Sequence, residues 1–192
     1  MTNFVHLKVH SEFSLVDGLL RIKPLAKALV AQGVPALAIT DDMNLFAAVK
    51  VQRAAESAGL KPILGADIWV IIDEKNGAAP TPMTLLVQNL EGYRQLTRLI
   101  SRAYLSRLHA HRPCVSLAQV LEHNEGLILL SGGQYGGVGQ CVLSGDDNTA
   151  RELWRRIQTA YPDRCYLEVA RVGRVDEEVY VRRVAALAAD WN

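Results

Sequence analysis

Short apolar runs alternate along this chain with longer stretches in which hydrophobic residues recur every three or four positions. Residues 5–9, 36–39, 61–70, 83–87, 127–130 and 165–169 read as strands. Between them, Pro24 suits a first helical turn and introduces Leu25, Ala26, Leu29 and Val30, with Gly33 as the stop. Asn44 is placed to cap a helix reaching Ala58 before Gly59, and Asn89 to cap one carrying Tyr93, Leu96, Leu99, Ile100 and Ala103. Residues 117–123 form a short helix. Residues 149–161 set Leu153, Trp154, Ile157 and Ala160 on one face, and 177–191 close the series. Gly65 inside the third strand marks a bulge or a close approach, and 73–82, with Asn76-Gly77 and two prolines, is a turn. Such alternation predicts a parallel sheet covered by helices, either a barrel or an open sheet. The last element is a helix ending beside Asn192, whereas a closed barrel needs another strand there. The chain is therefore expected to be a domain truncated before its last strands.

Composition narrows the partners. Of 192 residues 49% are hydrophobic, enough for one domain with a real core. Lys and Arg number 21 against 20 Asp and Glu, so the bulk lacks the electrostatic footprint of a nucleic-acid binder. No cationic start leads into an apolar leader, and no uninterrupted apolar run approaches the ~18 residues of a membrane span. Cys114, Cys141 and Cys165 are widely spaced without a CxxC pair, which argues against structural zinc or a disulfide framework and for a reducing cytoplasm.

The densest chemistry lies near the start. The run from Phe4 to Ser14 brings His6, Lys8, His10 and Ser11 to one strand end, and the strand at 36–39 runs into Thr40-Asp41-Asp42. Metal-dependent phosphoesterases on parallel barrels place ligands in this way, at the carboxyl ends of successive strands. Further blocks follow in order: Leu15-Val16-Asp17-Gly18, Gly59-Leu60-Lys61-Pro62-Ile63-Leu64-Gly65-Ala66-Asp67, Gly92-Tyr93-Arg94-Gln95-Leu96, Asn124-Glu125-Gly126-Leu127 and Pro162-Asp163-Arg164-Cys165-Tyr166-Leu167-Glu168. Together they span the chain, and in them it resembles the polymerase-and-histidinol-phosphatase (PHP) domain of the kind that opens bacterial DNA polymerase III alpha subunits. The resemblance implies an α/β fold, a distorted (β/α)7-type barrel that is incomplete here, with residues 1–192 as an amino-terminal PHP domain. It also implies a supporting role in template-directed DNA synthesis, stabilising the polymerase and docking the separate proofreading exonuclease (epsilon) subunit. The implied partners are that exonuclease, the remainder of the polymerase subunit, and primer-template DNA through the full-length protein, with no membrane.

Carried over residue by residue, the family's metal site gives a mixed account. His6, His10 and Asp41 stand at ligand positions. Asp42 replaces a histidine, Asp67 a glutamate, and Lys8 a ligand histidine, while Gly133 and Val172 supply no donor. An ammonium has three N–H donors and no acceptor, so it cannot ligate while charged. Unit charges about 4 Å apart interact by ~4 kcal/mol at an effective dielectric near 20, so Lys8 would oppose a cation. The expectation is that Lys8 stands in for a metal among His6, His10, Asp41, Asp42 and Asp67, and that the domain is non-catalytic, without its own cofactor. The alternatives are one Zn²⁺, Mn²⁺ or Mg²⁺ ion on the surviving donors, and an active phosphoesterase or 3′–5′ exonuclease. Mg²⁺ would belong to the parent polymerase.

Other features read two ways. His10 with Ser11 is either a remnant ligand pair or a hydrogen-bonded structural pair. Asp41 and Asp42 are either acid–base carboxylates or a turn that caps the next helix, the latter favoured. Residues 132–139 lack the Lys-Ser/Thr ending of a P-loop and read as a flexible loop rather than a phosphate cradle. Arg94, Arg98 and Arg102 recur every four residues on one helix face, within a basic run continuing through Arg107, His109, His111 and Arg112. They form either a contact for DNA or an acidic partner, or a solvated face.

Overall fold

The computed structural model describes residues 4–73, 77–106 and 112–191. Its sheet contains β1 (Ala36–Ile39), β2 (Lys61–Ile71), β3 (Thr81–Val87), β4 (Val115–Ser116), β5 (Leu127–Leu130) and β6 (Cys165–Tyr166). The strand order is β1-β2-β3-β5-β6, with β4 also beside β2. The path ends at β1 and β6 without returning on itself, so the sheet is open, as an incomplete barrel requires. The α-helices are α1 (Ile22–Ala31), α2 (Ala48–Ser57), α3 (Leu90–Leu105), α4 (Leu117–Glu122), α5 (Gly137–Ser144), α6 (Asp147–Ala160) and α7 (Glu177–Asp190). None of the described helices is long and apolar enough to cross a membrane.

The two-residue period of the strands decides what faces what. Ala66, Ile68 and Val70 of β2, Met83 and Leu85 of β3, and Leu127 and Leu129 of β5 are buried in one cluster. With them pack Leu96 and Leu99 of α3, Val120 of α4, and Trp154, Ile157 and Tyr161 in and just after α6. A second cluster joins Ile22, Ala26 and Leu29 of α1 and Val51 and Ala55 of α2 to Leu37 and Ile39 of β1. The alternate strand residues, among them Ile63, Leu86, Ile128 and Leu130, line a cavity of about 1400 Å³. The same alternation puts Asp67 and Thr84 on that inner side, directly opposite each other across β2 and β3.

Several expectations are corrected. Residues 5–9 form no strand: the segment is held at its end, where Thr40 N donates to Val9 O at 2.9 Å and Val9 N to Thr40 Oγ1 at 3.0 Å. The sheet is mixed, because β3 runs antiparallel to both β2 and β5. The connection from β2 is too short for a crossover and makes a hairpin instead. Asn76 of the predicted turn lies outside the described residues. Gly65 is a close approach rather than a kink, since a Cβ there would sit 2.5 Å from Leu85 O. Asn44 does not cap α2, which starts at Ala48. Its amide donates to Phe13 O and Asp42 O, and its carbonyl accepts from Phe46 N. The glycine-rich stretch is ordered into a 3₁₀ turn (Gly133–Tyr135) and α5, and the sixth strand shrinks to two residues. β4 is too short to leave a pattern in the sequence. Trp191 at the end of α7 is buried in the main cluster.

Candidate functional site

The site is organised around the Asp67 carboxylate at the mouth of the cavity. Thr84 Oγ1, its cross-strand neighbour, donates to Oδ1. Onto Oδ2 converge His10 Nε2 at 2.8 Å and Lys8 Nζ at 3.2 Å. Lys8 also reaches Glu168 Oε1 at 3.5 Å, and a third of its side chain stays open to solvent (33%). The other His10 nitrogen, Nδ1, lies 3.0 Å from Asp17 Oδ2. A ring flanked by two carboxylates favours the imidazolium. The hydrogen bond to Asp67, aided by the charges of Asp67 and Asp17, outweighs burial and pushes His10 up to about 9. For Lys8, burial acts to lower the pKa, but the charges and hydrogen bonds of Asp67 and Glu168 together exceed it and hold the ammonium above the ordinary lysine value.

Asp41 is 1% exposed and fully engaged. Its Oδ1 accepts from Ser11 N at 2.6 Å and Ser14 Oγ at 2.8 Å, and its Oδ2 from Ser11 Oγ at 2.8 Å. It thus fastens the 3₁₀ turn Glu12–Ser14 to the end of β1, rather than capping the helix that follows. Asp42 turns the other way and accepts from Trp69 Nε1 at 2.7 Å, with the Arg112 guanidinium stacked 3.9 Å over the indole. Burial raises the Asp42 pKa, opposed by the Trp69 hydrogen bond and the Arg112 charge.

The first motif therefore separates. Lys8, His10 and Asp67 meet directly, Asp41 supports them through the serines, and Asp42 flanks them. His6 stays outside, exposed, with its ring edge-on to Phe4 at 4.8 Å. Gly133 sits within reach of Glu168, which a Cβ there would meet at 3.7 Å. Val172 is solvent-exposed, and its N–H and that of Gly173 donate to the Glu177 carboxylate. Among the described residues no three His, Cys, Asp or Glu side chains converge on one point. Both Asp67 oxygens and both Asp41 oxygens already accept from N–H or O–H donors, and Glu168 Oε2 is the one acceptor of this cluster left buried and unused. This donor set does not fit a multinuclear metal site. It does fit an internal ion-pair network. Sequence reading missed Thr84, Asp17 and Glu168. Thr84 was marked only as a lone polar residue inside an apolar strand, and Glu168 only as a carboxylate just past a short one.

On α3, Arg94 and Arg98 lie 3.5 and 3.7 Å from Glu91, while Arg102 meets His123. All three arginines are exposed, and pairs of this kind contribute little to stability. Arg107, His109 and His111 lie outside the described residues.

Comparison with known proteins places this geometry. Residues 6–172 match the model of the PHP domain family. The DNA polymerase III subunit alpha of Vibrio cholerae serotype O1 is 43% identical over 189 residues, covering 98% of this chain and 16% of that protein. That of Escherichia coli K12 is 46% identical over 185 residues, covering 96% and 16%. That of Pseudomonas aeruginosa is 43% identical over 190 residues, covering 99% and 16%. The chain thus spans about 16% of the length of the curated relatives it matches.

Proposed function

We propose that this chain, which belongs to the PHP domain family, is a catalytically silent accessory domain of a bacterial replicative DNA polymerase alpha subunit. In this role it supports template-directed synthesis by stabilising the polymerase and docking the proofreading exonuclease. The names of its relatives motivate the polymerase setting. The observation that carries the silent reading is the pair of cationic donors, Lys8 Nζ and His10 Nε2, on a single oxygen of Asp67. Hydrolysis by a metal-dependent phosphoesterase needs a metal-activated water and a clamp on phosphoryl oxygens. Here the carboxylates that would hold a cation are neutralised by the chain's own ammonium and imidazolium. Lys8 acts as the surrogate for a metal, holding Asp67 and Glu168 together without an open coordination position. In a cytoplasmic setting that leaves a scaffold with no need of a cofactor of its own.

The alternative, a working phosphoesterase or 3′–5′ exonuclease, makes a different prediction. Purified full-length subunit, equilibrated with Zn²⁺, Mn²⁺ or Mg²⁺ and then desalted, should retain no stoichiometric metal attributable to this domain. It should also release no phosphate or nucleotide in a manner sensitive to His10→Ala or Asp41→Ala. Retention of metal together with hydrolysis abolished by both substitutions would establish the alternative. Binding of the purified exonuclease subunit to the same preparation tests docking separately.

A further inference from the structure

Beside the charged mouth stands a feature of the opposite character. The loop at 15–20 carries four large apolar residues, and three are almost fully in solvent: Leu15 is 78%, Val16 97% and Leu19 92% exposed. Burying such a side chain is worth ~1.5–3 kcal/mol, so leaving three unburied together is costly unless something covers them. Nor is the loop slack. Glu12 N donates to Leu20 O at 2.9 Å, Ser11 and Leu20 form a β-bridge, and Asp17 is bonded to His10. A Cβ at Gly18 would lie 1.7 Å from Ser11 O, so the chain there is packed backbone against backbone. Leu15 holds φ at 63°, a left-handed conformation uncommon for a residue with a bulky side chain. Much of the ordering entropy that a loose loop would lose on docking is therefore already absorbed by the fold.

We infer that this loop is a docking knob whose occupant is another part of the same longer polypeptide. The inference rests on the reading above only in taking the chain as one domain of a polymerase-length subunit. Three considerations select a tethered occupant over a separate protein. The chain spans 16% of its relatives' length, so most of the polypeptide available to cover the knob is covalently attached. Three side chains supply a few hundred Å² of contact, short of the roughly 1,200 Å² at which stable complexes of separate proteins begin. A tether supplies effective concentrations on the order of mM and makes such a small contact sufficient. The charge pattern agrees: the only ionisable residue of the loop, Asp17, is already paired with His10, so the knob offers nothing to steer a free partner electrostatically.

The test places a photoreactive phenylalanine analogue at position 16, and separately at position 19, of the full-length subunit. Both positions are solvent-exposed here, so the substitutions leave the fold intact. Irradiation at several protein concentrations, with and without the exonuclease subunit, is followed by peptide mapping. The expected result is cross-links joining the loop to residues beyond 192 of the same chain, in a yield independent of concentration. Cross-links to the exonuclease, cross-links to a second copy, or none at all would overturn the inference. A subunit shown to hydrolyse phosphate esters at a bound metal would defeat the reading of the mouth and leave this inference standing. Cross-links that go elsewhere would do the reverse.

Discussion

At the residue scale, His10 is the most consequential group, because its two nitrogens tie the mouth loop to β2. Its pKa is raised in the folded state from 6.5 to about 9. Protons are then bound more tightly by the folded than by the unfolded chain, so the stabilisation is complete below about pH 6.5 and disappears as pH rises through about 9. Its full size is on the order of 2–3 kcal/mol. Lys8 stays charged across that window, since its own pKa is raised above the lysine value, so the loss belongs to His10. Urea unfolding of wild type and His10→Gln at intervals from pH 6 to 10 should show a stability gap that is widest at pH 6 and closed near pH 10. A gap that does not change with pH would refute the ion-pair account. The ligand-type residues of this cluster were legible in sequence because they crowd into two short motifs. Its hydrogen-bonding half was not. Thr84 joins only through the β2–β3 register, Asp17 only through the fold-back of a loop, and Glu168 only because β6 pairs beside β5.

At the scale of elements, the start of α3 shows how a single glycine can set packing. Asn89 Oδ1 accepts from Gly92 N at 3.0 Å as the N-cap, and Gln88 N donates to Gly126 O at 2.9 Å just before β5. The two segments are so close that a Cβ on Gly92 would lie 1.9 Å from Gly126 O, a backbone atom that cannot swing away. Gly92→Ala should therefore cost more than about 2 kcal/mol, well outside the few tenths expected of an exposed substitution, even though alanine is the better helix former. Chemical denaturation would measure it, and a neutral or stabilising result would mean that the contact is softer than drawn. Long amphipathic helices such as α3 and α6 were readable because their buried faces repeat over several turns. Short elements were not. The segment at 5–9 has the alternation of a strand but lacks a ladder partner among the described residues. The glycines at 132–139 look like a loop by composition, yet Gly132, Gly136 and Gly139 are required by close backbone contacts within a tight turn.

At the scale of the whole molecule, the dominant fact is that the sheet stops. β6 pairs with β5 on one side only, and the arm beyond it leaves Tyr166 55%, Val169 56% and Val172 69% exposed beside the large cavity. The direction of β3 was hidden from sequence because a hairpin and a crossover leave the same apolar run. The openness was legible, since six strand patterns ended on a helix. An edge with bare N–H and C=O groups flanked by apolar side chains is a template for pairing with another chain. Residues 1–192 prepared alone should therefore self-associate. Sedimentation should give an apparent mass that rises with protein concentration, largely indifferent to salt because the contact is not ionic. A lysine at position 169 (Val169→Lys) should push the equilibrium back toward monomer by putting an unpaired charge on the exposed side of the arm. The same substitution would leave the site at Asp67 untouched, since Val169 makes none of its contacts. A wild-type domain that stays monomeric at every concentration would show that this edge is already protected, and the trough beside β6 would then need no covering strand.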